Sequence, residues 1–136
     1  MIEQDADAET VLVVDDDHNV RTVMASVLGR RGYRILEATD GTHALEVVAQ
    51  HAAPVHLIVS DVNMPGMDGW LLLERLRGWY PGIRFLMVSG DEQAASTMSG
   101  HAETPTAFLA KPFSAQQLSD AVRELLDRPR FGRIPQ

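Results

Sequence analysis

The chain has 136 residues, 45% of them hydrophobic and 23% charged, and a formal net charge of −7. That is enough for one domain with a real core and too little for two ordinary ones. No apolar run approaches the roughly 20 residues that cross a bilayer, so no membrane insertion is expected. The acidic opening MIEQDADAET lacks the basic start and apolar stretch of a secretory leader. Without cysteine there is no disulfide framework and no thiolate metal site, which fits the cytoplasm. The negative charge argues against direct nucleic-acid binding, because phosphate backbones demand a basic face. Only the tail RPRFGRIPQ is locally basic, and it is short and broken by Pro and Gly.

Apolar runs and helical patterns alternate along the chain. TVLVV (10–14) is a β-branched run typical of a buried strand. Val20, Val23, Met24, Val27 and Leu28 then recur at helical spacing, and Gly32 supplies a left-handed stop. RILEA (34–38) is a weaker, partly polar strand, as expected near a sheet edge. Asp40-Gly41 opens a second helix with Ala44, Leu45, Val48 and Ala49 on its apolar side. VHLIVS (55–60) is the third strand; Pro65-Gly66 breaks the chain, and Asp68 can cap a third helix with Leu72 and Leu76 facing inward. Pro81-Gly82 is a turn before IRFLMVS (83–89), the fourth strand. Residues 91–103 are small, polar and weakly periodic, the pattern of a helix of low local stability. TAFLA (106–110) is the fifth strand, and Ser114 with Gln117 forms a capping box ahead of Ala115, Leu118, Val122, Leu125 and Leu126.

Five strands separated by helical segments specify an α/β domain, a parallel sheet covered on both faces. Right-handed crossovers make a doubly wound sheet the simplest topology. Residues 1–8 are expected to form a disordered acidic segment, 9–127 the folded domain and 128–136 a tail.

In such sheets ligands bind beyond the carboxyl ends of the strands, near the point where the strand order reverses. Those ends carry Asp15-Asp16-Asp17, Asp61, Ser89 and Lys111-Pro112. Four strand ends thus deliver carboxylates, a hydroxyl and an ammonium to one rim. Singly, each has an ordinary reading as a helix cap, a turn residue or a solvated loop side chain. Jointly they do not, because crowded carboxylates repel unless a cation is present. With only oxygen donors at hand, that cation is Mg²⁺ or Mn²⁺.

The stretches VLVVDDD (11–17), IVSDVNMPGMDGW (58–70), MVSGDE (87–92) and FLAKPFS (108–114) resemble the receiver domains of two-component response regulators, over roughly residues 9–127. The resemblance implies a five-stranded sheet of order 2-1-3-4-5, the flavodoxin-like receiver fold. It makes Asp61 the phosphoacceptor, with Asp15 and Asp16 as the acidic pair at the metal and Asn63 lending its backbone carbonyl. Ser89 takes the switch-hydroxyl position, Lys111 pairs with phosphate oxygens, and the Lys111-Pro112 bond is expected to be cis. Phe108 matches the aromatic switch position, while Asn63 and Asp91 match positions that tune the acyl-phosphate lifetime. Asp17 falls at a variable position near a helix start, where its charge suits the dipole. His18 and His43 read as surface polar residues rather than ligands.

The resemblance further implies that the domain catalyses its own phosphorylation and dephosphorylation rather than acting as a dedicated enzyme. The donor would be a sensor histidine kinase or a histidine-phosphotransfer protein. Output would run through the fourth helical segment, the fifth strand and the fifth helical segment, to a protein target or a homodimer; no DNA-binding output domain is expected. Passage of phosphate onward, as a phosphorelay intermediate or a hybrid-kinase receiver, is the competing version. Two other classes fit poorly. Asp15-x-Asp17 is similar to the opening of haloacid-dehalogenase-type phosphatases, but those need a hydroxyl residue where Asn19 stands. A flavodoxin-like FMN binder needs a Thr/Ser/Gly-rich phosphate loop where this chain is acidic.

Overall fold

The computed structural model describes residues 8–90 and 106–128. The expectations for residues 1–7, for the segment 91–103 with Asp91, and for the tail beyond residue 128 lie outside the described residues. In chain order the elements are β1 (Thr10–Val14), α1 (His18–Arg30), β2 (Arg34–Ala38), α2 (Gly41–Gln50), β3 (Leu57–Asp61), α3 (Gly69–Trp79), β4 (Arg84–Ser89), β5 (Thr106–Ala110) and α4 (Ala115–Asp127). All strand pairs are parallel and the sheet order is β2-β1-β3-β4-β5, as the resemblance implies.

Side chains on a strand alternate between faces, and the core divides accordingly. Val11, Val13, Leu57, Val59, Leu86 and Val88 pack with Met24 and Leu28 of α1 and Leu118, Val122 and Leu125 of α4. Leu12, Val14, Ile58, Phe85 and Met87 pack on the other face with Ala44 and Val48 of α2 and Leu72, Leu73 and Leu76 of α3. Strands β1, β3 and β4 are therefore buried along their whole length, whereas β2 and β5 are partly exposed edges. The direction of winding reverses between β1 and β3, so the carboxyl ends of those two strands flank the crevice of the fold.

Helix starts follow the expected chemistry. Asp40 and Asp68 accept from the His43 and Leu71 amides, and Ser114 with Gln117 closes a reciprocal capping box. Asp17 caps α1 by accepting from the Asn19 and Val20 amides, consistent with its expected place at a helix start. Gly32 adopts φ +97° just past α1. Differences are small. Strand β3 begins at Leu57 rather than Val55 and runs on through Asp61, and β4 begins at Arg84 rather than Ile83; helix and strand ends fray on this scale. Ala49 and Ala115 are exposed instead of inward, because one methyl buries too little area to fix a helix face. Val23 is 57% exposed despite its helical spacing with Met24. Among the described residues no helix is long and apolar enough to cross a membrane.

One close approach sets the geometry under the site. The Gly69 amide donates to the Val62 carbonyl at 2.9 Å, drawing the start of α3 against the end of β3. A Cβ at Gly69 would lie 2.7 Å from the Asp61 carbonyl oxygen, a backbone atom that cannot swing aside. At Gly78, near the far end of the same helix, nothing lies within 4 Å. Gly69→Ala should therefore lose about 2 kcal/mol or more in urea unfolding, as overpacking does. Gly78→Ala should be neutral or gain up to about 0.5–1 kcal/mol from helix propensity. Equal effects of the two substitutions would contradict this packing.

Candidate functional site

The site forms where four strands stop. Asp15 follows β1 directly, Asp61 ends β3, Ser89 ends β4, and Lys111 follows β5. The ladder carries their backbones into register: Asp61 pairs with Val88, Ser89 pairs with Ala110, and the Lys111 amide donates to the Ser89 carbonyl at 2.9 Å. The Lys111-Pro112 peptide bond is cis, as expected. Asp15 is fully buried, Asp61 is 7% and Ser89 1% exposed, and Asp16 faces solvent. The two buried carboxyl groups thus lie at the floor of the crevice and Asp16 at its lip.

Lys111 lies between the two buried carboxylates. Its Nζ is 3.4 Å from Asp61 Oδ1 and 3.6 Å from Asp15 Oδ2. The first contact is a long hydrogen bond and the second an ion pair beyond hydrogen-bond reach. Asp15 Oδ1 accepts from the Asp17 amide at 2.8 Å, but Asp15 Oδ2 is buried with no hydrogen-bond partner. A buried carboxylate oxygen without a partner is costly, so such an atom calls for an explanation. Carboxylate oxygens of Asp15, Asp16 and Asp61 all come within 4.8 Å of one another. An all-oxygen cluster with one unsatisfied buried atom fits a hard divalent cation.

The electrostatics agree. Burial raises the Asp61 carboxyl above the ordinary aspartate range, and the Asp15 charge adds to that; Lys111 pulls the other way. Burial likewise raises Asp15, opposed by the Asp17 amide and Lys111. Lys111 alone therefore does not compensate the two carboxylates, and a cation in their midst would.

The other expected residues take the following places. Asn63 is exposed between the buried Val62 and Met64 in the loop after Asp61. Phe108 is half-buried on edge strand β5, opposite Met87, and packs on the α2/α3 face of the core. His18 is exposed, whereas His43 is partly buried and its Nδ1 accepts from the Thr39 amide. Two contributors were not anticipated. Gly69 lets α3 meet β3, and Arg21 donates to the Asp15 carbonyl at 2.8 Å. A signal for Arg21 does exist, since position 21 lies on the same buried stripe as Met24 and Leu28. A charge on an inward stripe implies a polar partner.

The family model for the response regulator receiver domain matches residues 11–123, and the chain belongs to that family. It is 42% identical over 119 residues to the sensor kinase CckA of Brucella abortus, across 88% of this chain and 13% of that protein. It is 28% identical over 118 residues to sporulation initiation phosphotransferase F of Bacillus subtilis, across 87% of this chain and 94% of that one. Among solved structures it superposes on the receiver domain of hybrid histidine kinase CckA with a TM-score of 0.72 and 36% identity, covering 87% of this chain and 99% of that chain. Chemotaxis protein CheY4 of Vibrio cholerae gives 0.79 and 30%, covering 87% and 98%. The chain spans only 13%, 40% and 26% of the length of the kinase CckA and of two Pseudomonas aeruginosa regulators, PfeR and FleR. It is a receiver domain of two-component signalling.

The raised carboxyls give a stability test. Because the fold favours their neutral forms, the folded state holds protons more tightly than the unfolded chain. Stability from this source is present at low pH and is lost as pH rises through the ordinary aspartate value of 3.8 toward the raised folded values. In EDTA at neutral pH, Asp61→Asn should melt above wild type by on the order of 2–5 °C. The gap should close as pH falls into the acid range. A lower melting temperature for Asp61→Asn in EDTA would contradict the assignment of strain to this pair.

Proposed function

We propose that the chain accepts a phosphoryl group on Asp61 and uses the added charge to change its affinity for a protein partner. The observation that carries this reading is the buried Asp61 carboxylate set beside a second carboxylate with an unsatisfied oxygen and within reach of the Lys111 ammonium. A carboxylate is a weak nucleophile. Phosphoryl transfer, however, asks the protein mainly for positioning and charge neutralisation. An Asp61 oxygen attacks phosphorus in line; the new O–P bond forms as the P–N bond of a phosphohistidine donor breaks. The electron pair leaves with the imidazole, which takes up a proton.

Asp15, Asp16, Asp61 and the backbone carbonyl of Asn63 are the proposed holders of Mg²⁺, or Mn²⁺. The chemistry such an ion supplies is neutralisation of the transferring oxygens. Lys111 contacts the same oxygens from the β5 side. The product carries about 1.5 to 2 additional negative charges and new acceptor oxygens. Ser89 donates its hydroxyl to one of them, drawing the end of β4 inward, and Phe108 moves into the space released. Asn63 and Asp91 tune how fast water hydrolyses the acyl phosphate. Phosphate shifts the two-state balance only by its differential contacts with each state. The surface that changes includes β5 and α4, available to a protein target or to a second copy of the chain.

The donor is a sensor histidine kinase or a histidine-phosphotransfer protein. Identity of 42% to part of a sensor kinase favours a second version, in which phosphate passes onward from Asp61 to a histidine-phosphotransfer partner. The two versions share the chemistry at Asp61 and differ in who receives the phosphate.

The chain incubated with Mg²⁺ and a small phosphodonor such as acetyl phosphate should gain one phosphoryl group, read by intact-protein mass. EDTA should abolish the gain, Asp61→Asn should show none, and Lys111→Ala should slow labelling by roughly 10²-fold or more, the cost of losing a preorganised charge contact. Equal labelling of wild type and Asp61→Asn would refute the proposal.

A further inference from the structure

Asp15 is held at every polar atom but one. Its amide donates to the Ala38 carbonyl at 3.2 Å, and its Oδ1 accepts from the Asp17 amide at 2.8 Å. Its carbonyl accepts from Arg21 Nη1 at 2.8 Å. Oδ2 alone has no hydrogen-bond partner, and it lies 3.6 Å from Lys111 Nζ, toward the crevice. Arg21 is itself engaged at all three of its side-chain nitrogens. Its Nε donates to Glu37 Oε1 on β2 at 3.2 Å, and its Nη2 lies 3.1 Å from His18 Nδ1. The Arg21 side chain is only 11% exposed. A guanidinium offers a rigid planar fork of donors, so fixing two edges fixes the third.

We infer that Arg21, oriented by Glu37, is a positioning residue for the metal loop: it clamps the Asp15 peptide so that Oδ2 points at the cation shared with Asp16 and Asp61. This rests on reading the carboxylate cluster as a divalent-ion site. Residues that orient a metal ligand commonly change affinity by 10- to 100-fold when replaced. The sign of the effect separates this role from a plain field effect. Arg21 is a cation near a cation site, so deleting its charge should by Coulomb repulsion alone tighten Mg²⁺ binding. A positioning role demands the opposite.

The test is calorimetric titration of MgCl₂ into wild type, Arg21→Met and Arg21→Lys, with thermal melts in EDTA to follow the fold. Arg21→Met should bind Mg²⁺ roughly 10-fold or more weakly. Arg21→Lys keeps the charge but cannot span Glu37 and the Asp15 carbonyl with a planar fork, so a smaller loss in the same direction is expected. Arg21→Met binding as tightly as wild type, or more tightly, overturns the inference while leaving the metal site intact. If Arg21→Met does not fold, Arg21→Lys decides in the same way. A wild type that takes up no Mg²⁺ overturns the reading of the site, and this inference with it.

Discussion

Two aspartate carboxyls buried within a few ångströms of each other, with one lysine ammonium between them, are the constraint around which the molecule is built. Such a pair is unfavourable in isolation, since burial and mutual repulsion both oppose its charge. It persists because the surrounding sheet is buried on both faces and over-determines the positions of β1, β3 and β4. On the proposed reading, a bound divalent cation would offset that cost. A site assembled at the ends of rigid strands holds its donors in place before the ligand appears, which is the condition for efficient charge stabilisation.

The scaffold serves that site through backbone contacts as much as side chains. Gly69 permits α3 to close on the Asp61 carbonyl, and the Lys111 amide reaches the Ser89 carbonyl to bring β5's loop alongside β4. Asp17 caps α1 while its amide holds Asp15 Oδ1, so one residue both starts the helix and orients the Asp15 carboxylate. On the proposed phosphorylation at Asp61, Ser89 and Lys111 are tied through the same β4–β5 backbone link. Displacement at one would be felt at the other, and at Phe108 on the same strand.

Much of this was legible in the residues themselves. The five strands stand out as β-branched or apolar runs, and a parallel sheet places their carboxyl ends together regardless of side-chain detail. That is why Asp15, Asp61, Ser89 and Lys111 could be named from their positions at strand ends. Asp40, Asp68 and Ser114 announced their helices because capping is a local interaction. What the residues did not reveal depends on close three-dimensional approach. The Asp61–Gly69 contact joins positions eight apart through a folded loop, and the place of Arg21 on the inward stripe of α1 calls for a polar partner without saying that it is the Asp15 carbonyl. The inward face of α2 and α4 was over-read at Ala49 and Ala115, where a methyl carries little directional information. Asp17, placed near a helix start by its position in the run of three aspartates, is the N-cap of α1.

The most direct test of the central claim is chemical identification of the modified side chain. An aspartyl phosphate is reduced by borohydride to homoserine, which peptide mass spectrometry can locate. After Mg²⁺-dependent phosphorylation and reduction, homoserine is expected at position 61 alone. Homoserine at another aspartate, or phosphate retained on a histidine or serine with residue 61 unchanged, would contradict it.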